Sequence, residues 1–111
     1  MDVRCTHSTV GGRPVLHVSG EIDLSSLPTL HDHLSRMVLE HPGAEVTVDL
    51  DGVYALDDTG LGMLLGAAGR AREHGGDVVV VCTAPHLLQR FALTGLDRAL
   101  EVRARVGTIP A

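Results

Sequence analysis

The segment best suited to chemistry in this chain is a turn that carries a hydroxyl group, Asp57-Asp58-Thr59-Gly60-Leu61-Gly62. It follows the pattern of a hydrophobic strand and opens the pattern of a helix. The hydroxyl of Thr59 is therefore expected at a helix N-terminus, where unpaired backbone N–H groups and the positive end of the helix dipole tolerate a phosphate. A turn of this kind can therefore serve as a switch, with the charge of an added phosphate read by a partner. The alternative is that Thr59 simply caps the helix.

A second acidic segment, Asp49-Leu50-Asp51-Gly52-Val53, is similar to the first motif of haloacid-dehalogenase-type phosphotransferases. In that motif the first Asp is the nucleophile and the second is the general acid/base. The chemistry also requires a lysine, and all nine basic residues of this chain are arginines. A receiver-type site, which is phosphorylated on an Asp, requires a lysine as well. We therefore interpret the segment as a strand end followed by a polar turn.

Other catalytic and ligand-binding patterns are weak. His31 and His33 are two positions apart, which places them on different faces of a helix, and no Cys or His cluster accompanies them. No GxSxG pattern of a nucleophilic serine is present. Gly60-Leu61-Gly62 lacks the third glycine of a dinucleotide-binding loop. The sequence therefore predicts no metal site, no cofactor and no enzymatic activity.

Composition limits the class of protein further. A chain of 111 residues, 44% of them hydrophobic and 2% aromatic, fits one domain with an aliphatic core. The net charge of −5 disfavours nucleic acid as a partner. Cys5 and Cys82 are expected to be reduced thiols. No signal peptide and no run of 18 apolar residues is present, so we expect a cytoplasmic protein that does not contact a membrane.

Hydrophobic periodicity predicts the order β-β-α-β-α-β-α-β, and this alternation is typical of an α/β domain. We expect a mostly parallel mixed sheet of about five strands, with the first strand antiparallel and helices packed against the sheet. Ser25 or Ser26 is expected to cap the first helix, 52–56 to form a connector, and the tail from Arg103 to be frayed. The predicted strands are 3–10, 14–19, 45–50, 77–82 and 100–102, and the predicted helices are 24–40, 59–74 and 85–93.

Four motifs in order give the chain, over about residues 3–103, a resemblance to the STAS domain family, specifically to bacterial anti-sigma factor antagonists. Each motif alone is weak, but their order and spacing together are specific. The resemblance implies a single STAS domain covering residues 1–111. The motifs are Ser19-Gly20-Glu21-Ile22-Asp23, Val48-Asp49-Leu50 with Val53, Asp57-Asp58-Thr59-Gly60-Leu61-Gly62, and Leu93-Thr94-Gly95-Leu96-Asp97.

The resemblance also implies a mechanism called partner switching. The unphosphorylated antagonist binds an anti-sigma factor that has a nucleotide-binding kinase fold, and this releases a sigma factor. Phosphorylation, here at Thr59, dissociates the complex, and a PP2C-type phosphatase reverses it. The protein itself is expected to be a monomer or a weak dimer. By the same resemblance, the partner would contact Asp23, Asp57, Asp58, Gly60, Leu61 and Gly62.

Two positions depart from the family pattern. Asp58 stands where the family usually has a serine, and the acceptor is Thr59 rather than the commoner serine. The fixed charge of Asp58 beside the acceptor weakens or tunes kinase recognition. The alternative function is an unphosphorylated STAS scaffold or binding subunit in a signalling or lipid-transport assembly.

Overall fold

A single mixed sheet organises the protein. The computed structural model describes residues 3–104, which contain five strands in the spatial order β1-β2-β3-β4-β5. β1 pairs antiparallel with β2, and all later neighbours pair in parallel. This topology confirms the predicted α/β fold with an antiparallel first strand. The strands are β1 Arg4–Val10, β2 Arg13–Ile22, β3 Glu45–Leu56, β4 Asp77–Val81 and β5 Glu101–Arg103.

Helices connect the parallel strands and bury their apolar faces in one core with the sheet. The core consists mainly of Val, Leu, Ile and Ala side chains, as the composition predicted, and it also contains Phe91, Met37 and Cys82. None of the helices in the described part of the chain is long and apolar enough to span a membrane. The helices are α1 Leu27–Glu40, α2 Asp58–Glu73 and α3 Pro85–Thr94, and a short 3₁₀ helix, Leu96–Arg98, was not predicted.

Strand β3 is longer than predicted, and the connector expected at 52–56 is part of it. The register between β2 and β3 shifts between His17 and Ser19 and again between Gly20 and Glu21. Such irregularities interrupt the alternation of side chains without ending the strand. Gly52 is needed at this point because a Cβ there would lie 2.7 Å from the Cβ of Ser19.

The start of α1 also differs from the prediction, because residues 23–26 form a turn before the helix begins at Leu27. The backbone N–H of Ser26 donates to the carbonyl of Asp23 at 3.1 Å. Ser26 occupies the N-cap position, but its side chain makes no capping hydrogen bond. Its hydroxyl instead accepts from the N–H of Asp23 and donates to the carbonyl of Glu21, so it holds the turn together.

The C-terminal end of the described chain is better ordered than expected at Arg103. This residue pairs with Val81 in the last strand, and its guanidinium donates to the carboxylates of Glu45 and Glu101. The prediction of fraying from Arg103 is therefore wrong at that residue. The rest of the predicted tail, 105–111, lies outside the described residues.

Candidate phosphorylation turn

The loops that follow β2 and β3 meet at one edge of the sheet. Ile22 and Leu56 are the last residues of these parallel strands, and they are partners in register. The backbone N–H of Asp57 donates to the carbonyl of Ile22 at 3.1 Å, which joins the second loop to the first. The loop that begins with Asp23 and the turn that carries Thr59 are therefore neighbours, although they are far apart in sequence.

Asp57, and not Thr59, caps α2. Its backbone is extended, with φ −92° and ψ 175°, and its carboxylate accepts the N–H of Gly60 at 3.1 Å. The hydroxyl of Thr59 donates to the same carboxylate oxygen at 2.6 Å. Thr59 lies in the first turn of the helix with its side chain exposed. The alternative that Thr59 is only the helix cap is wrong, because a carboxylate already fills that role.

The remaining residues of the turn divide into buried and exposed positions. Gly60 is buried against the sheet, and a Cβ there would lie 2.5 Å from Cγ2 of Ile22 and 2.7 Å from Cδ1 of Leu56. Leu61 is 1% exposed and belongs to the core. Gly62 is exposed, and no atom lies within 4 Å of the place its Cβ would take. Gly60 and Leu61 thus hold the turn against the sheet, while Thr59 and Gly62 reach the surface.

Asp23 organises the neighbouring loop in the same way as Asp57 organises the turn. Its carboxylate accepts the hydroxyl of Ser25 at 2.6 Å and the N–H of Ser26 at 3.1 Å. The hydrogen bond from Ser25 is the largest cause of a lowered pKa for Asp23. Asp23 therefore keeps its negative charge close to the turn.

The carboxylate of Asp58 is paired with a cation. Its carboxylate accepts a hydrogen bond from the guanidinium of Arg90 on α3. One turn earlier on the same helix, Nε2 of His86 contacts the backbone carbonyl of Tyr54 at 2.9 Å. Helix α3 therefore contacts the turn through Arg90 and the end of β3 through His86. The role of Arg90 was missed because 32 residues separate it from Asp58.

Two exposed apolar side chains accompany the acidic residues at this edge. Leu24, in the loop after β2, is 73% exposed, and Tyr54, near the end of β3, is 50% exposed. Desolvation raises the pKa of Tyr54, and the negative charges of Glu21 and Asp23 raise it further. The surface around Thr59 thus combines negative charge with apolar area, a combination that suits a protein interface.

The second acidic segment has structural partners within the sheet. Asp51 accepts the N–H and the hydroxyl of Thr83 at 2.8 Å and 2.9 Å, which fixes the loop after β4. Asp49 contacts Nδ1 of His17 at 2.8 Å. Within residues 3–104, no group of three or more His, Cys, Asp or Glu side chains is arranged to hold a metal ion. Both cysteines are free thiols.

Known proteins resemble the chain in sequence, and solved structures resemble it in fold. A sequence model of the family described as "Mlab, STAS domain" matches residues 5–104. The anti-sigma-B factor antagonist of Bacillus subtilis (strain 168) is 30% identical over 90 residues, which is 81% of each chain. The crystal structure of an anti-sigma factor antagonist from Mycobacterium paratuberculosis superimposes with a TM-score of 0.84 at 28% identity, covering 94% of this chain and 87% of that one. The chain therefore belongs to the STAS domain family, and within that family it is similar to the bacterial anti-sigma factor antagonists.

Proposed function

We propose that the protein is an anti-sigma factor antagonist that works by partner switching, with Thr59 as the phosphoacceptor. The unphosphorylated form binds an anti-sigma factor that has a kinase fold, and this binding releases a sigma factor in the cytoplasm. Phosphorylation of Thr59 by that kinase dissociates the complex, and a PP2C-type phosphatase restores the hydroxyl. The protein is the substrate of these reactions and carries out neither of them.

The observation that carries the proposal is the setting of the Thr59 hydroxyl. It is exposed, it belongs to the first turn of α2, and it donates to the Asp57 carboxylate at 2.6 Å. The hydrogen bond fixes the direction of the oxygen that would attack a phosphoryl group. Unpaired N–H groups at the start of the helix favour the phosphate once it is attached.

In this proposal the negative charge of the phosphate releases the bound anti-sigma factor. A phosphothreonine adds about −1.5 to −2 charges at neutral pH. Asp23 and Asp57 carry negative charge at the same edge of the sheet, so an acidic patch becomes strongly negative. If the added repulsion and the lost fit weaken the interface by ~3 kcal/mol, affinity falls about a hundredfold.

The pair formed by Asp58 and Arg90 explains how a fixed carboxylate is tolerated beside the acceptor. The side chain of Asp58 is 81% exposed, so the ion pair contributes little to stability. The guanidinium of Arg90 nevertheless offsets one negative charge next to the hydroxyl of Thr59. In our proposal Arg90 lowers the negative charge of the unphosphorylated turn, so that a kinase presenting ATP is repelled less.

The test is incubation of the protein with ATP and each candidate anti-sigma kinase of its own genome, followed by mass spectrometry. We expect one added phosphate that maps to Thr59 and is absent from Thr59→Ala. Ser25→Ala is a matched control, because the Ser25 hydroxyl also donates to an Asp carboxylate at 2.6 Å at this edge. A phosphate that maps to Ser25 would reject Thr59 as the acceptor.

The binding arm of the experiment separates the proposal from its alternative. We expect the unphosphorylated protein to form a complex with the kinase that accepts Thr59 phosphorylation, and the phosphorylated protein to lose it. A stable complex without phosphorylation by any kinase would instead identify a STAS scaffold or binding subunit. Arg90→Gln should slow phosphorylation about threefold or more, and Arg90→Gln combined with Asp58→Asn should recover the rate, because the uncompensated charge is then removed.

A further inference from the structure

A hydrogen-bonded chain of three side chains crosses strands β1, β2 and β3. The hydroxyl of Ser8 on β1 lies 2.8 Å from Nε2 of His17 on β2. Nδ1 of the same imidazole lies 2.8 Å from a carboxylate oxygen of Asp49 on β3. A serine, a histidine and an aspartate are therefore joined in the order found in nucleophilic hydrolases, and the proposed switching does not use them.

The contacts determine where the protons lie. A carboxylate can only accept, so in the neutral state of the imidazole Nδ1 carries the proton. Nε2 then holds the free lone pair and can only accept. The hydroxyl of Ser8 is consequently the donor, and its proton points at the base. This is the arrangement in which an imidazole removes a proton from an attacking oxygen.

The strands of the sheet hold these three side chains in position. His17 and Asp49 are register partners in the parallel pair β2 and β3. The antiparallel pairing of β1 with β2 places Ser8 opposite Val15, two residues before His17. The second oxygen of Asp49 accepts the N–H of Asp51 at 3.0 Å, which fixes the carboxylate. Each member therefore projects from a hydrogen-bonded strand and not from a loop.

A groove of about 310 Å³ adjoins the chain of side chains. His17 and Asp49 line it together with Arg4, Thr6 and Ser19, whereas Ser8 is not among its lining residues. The groove gives solvent access to the imidazole that would act as the base. Because it opens to solvent, water has access for a second step.

We propose that Ser8 is a nucleophile activated by His17 and Asp49, and that it accepts acyl groups from small activated esters. In the first step Oγ of Ser8 bonds to the acyl carbon while its proton moves to Nε2 of His17. The bond from the acyl carbon to the leaving oxygen then breaks, and that oxygen keeps the electron pair and takes the proton from His17. In the second step water, deprotonated by His17, attacks the acyl carbon, and Ser8 leaves with the proton restored.

The chain contains an internal comparison for this proposal. Ser35 and His31 form a second serine–histidine pair on the exposed side of α1, with Oγ of Ser35 3.4 Å from Nε2 of His31. That contact is longer, and no carboxylate within the described residues hydrogen-bonds to His31. If activation depends on the whole triad, Ser8 must react and Ser35 must not, in the same sample.

The test is exposure of the intact protein to p-nitrophenyl acetate, with release of p-nitrophenolate followed by absorbance and the acetylated residue located by peptide mass spectrometry. General base catalysis contributes about 10²- to 10⁴-fold, so we expect acetylation of Ser8 at least about a hundredfold faster than that of Ser35. His17→Gln should reduce the Ser8 rate to the level of Ser35. Asp49→Asn should reduce the Ser8 rate as well, because the proton then lies on Nε2 of His17, and this nitrogen can no longer act as the base.

Two controls keep the outcome decisive. Ser8→Ala removes the nucleophile at an exposed position and should abolish the acetylation without altering thermal unfolding. Ser25→Ala, which changes a hydroxyl that is bonded to a carboxylate without an imidazole, should leave the rate unchanged. Equal acetylation of Ser8 and Ser35, or a Ser8 rate that His17→Gln does not alter in a folded protein, would overturn the proposal.

Discussion

The contact between the start of α2 and the sheet allows a sharp prediction for Gly60→Ala. A Cβ at this position would lie 2.5 Å from Cγ2 of Ile22 and 2.7 Å from Cδ1 of Leu56, whereas carbon atoms in contact are normally about 3.5–4.0 Å apart. Both neighbours are at most 4% exposed, and they end adjacent strands, so neither can turn into solvent. Relief requires the first turn of the helix to move away from the sheet.

The expected size of the effect follows from overpacking. Extra carbon atoms in a packed core typically cost about 1–3 kcal/mol. Alanine is the better helix former by up to ~1 kcal/mol, but Gly60 lies in the first turn, where this gain is small. We expect Gly60→Ala to lower the free energy of unfolding by about 1–3 kcal/mol and the melting temperature by about 4–12 °C.

Gly62→Ala is the matched control, two positions later on the same helix. No atom lies within 4 Å of its Cβ position, so the substitution brings the helix propensity of alanine without a clash. We expect Gly62→Ala to raise the free energy of unfolding by about 0.5–1 kcal/mol. Urea unfolding of both variants measures the difference. If Gly60→Ala is as stable as wild type, or if Gly62→Ala is destabilised equally, the packing argument is refuted.

Three further predictions concern the charged groups. Asp57→Ala should lower the free energy of unfolding by about 1 kcal/mol through loss of the helix cap, and Asp57→Asn should retain most of it, as urea unfolding would reveal. Arg90→Gln should change the free energy of unfolding by less than ~1 kcal/mol, because Asp58 is mostly exposed; a larger change would mean that the ion pair is structural. Desolvation, followed by the positive charges of His7 and Arg36, lowers the pKa of His33, so the folded state favours its neutral form. The contribution of His33 to the free energy of unfolding is then fully present above the ordinary pKa of 6.5 and falls as the pH drops below it. The free energy of unfolding lost between about pH 7.5 and about pH 5.5 should be smaller in His33→Gln than in wild type. Equal losses in the two proteins would contradict this cause.

Phosphorylation itself should leave the fold intact. The phosphate would lie at the N-terminus of α2, where the helix dipole favours negative charge. Thr59 is exposed, so no core contact is broken when a phosphate is added. The melting temperature of the phosphorylated protein should therefore stay close to that of the unmodified one. A large drop would mean that the switch acts through stability and not through the interface.

The amino-acid sequence by itself determined the class of fold and the position of the candidate phosphoacceptor. Apolar spacing along the chain distinguishes strands from helices, because each element buries one face at its own period. The change from one period to the other before Thr59 was enough to place its hydroxyl at the start of a helix. The predicted strand end after Leu50 was wrong, because shifts in register let β3 continue to Leu56.

Only the tertiary structure decided which side chains meet. Arg90 offsets the charge of Asp58, and Ser8, His17 and Asp49 join across three strands. Each of these contacts depends on how strands pair and where α3 lies on the sheet. A shift of register by one residue would turn every side chain of a strand to the other face. Local sequence therefore specifies which elements form, and the packing of elements distant in sequence specifies the chemical neighbours of each residue.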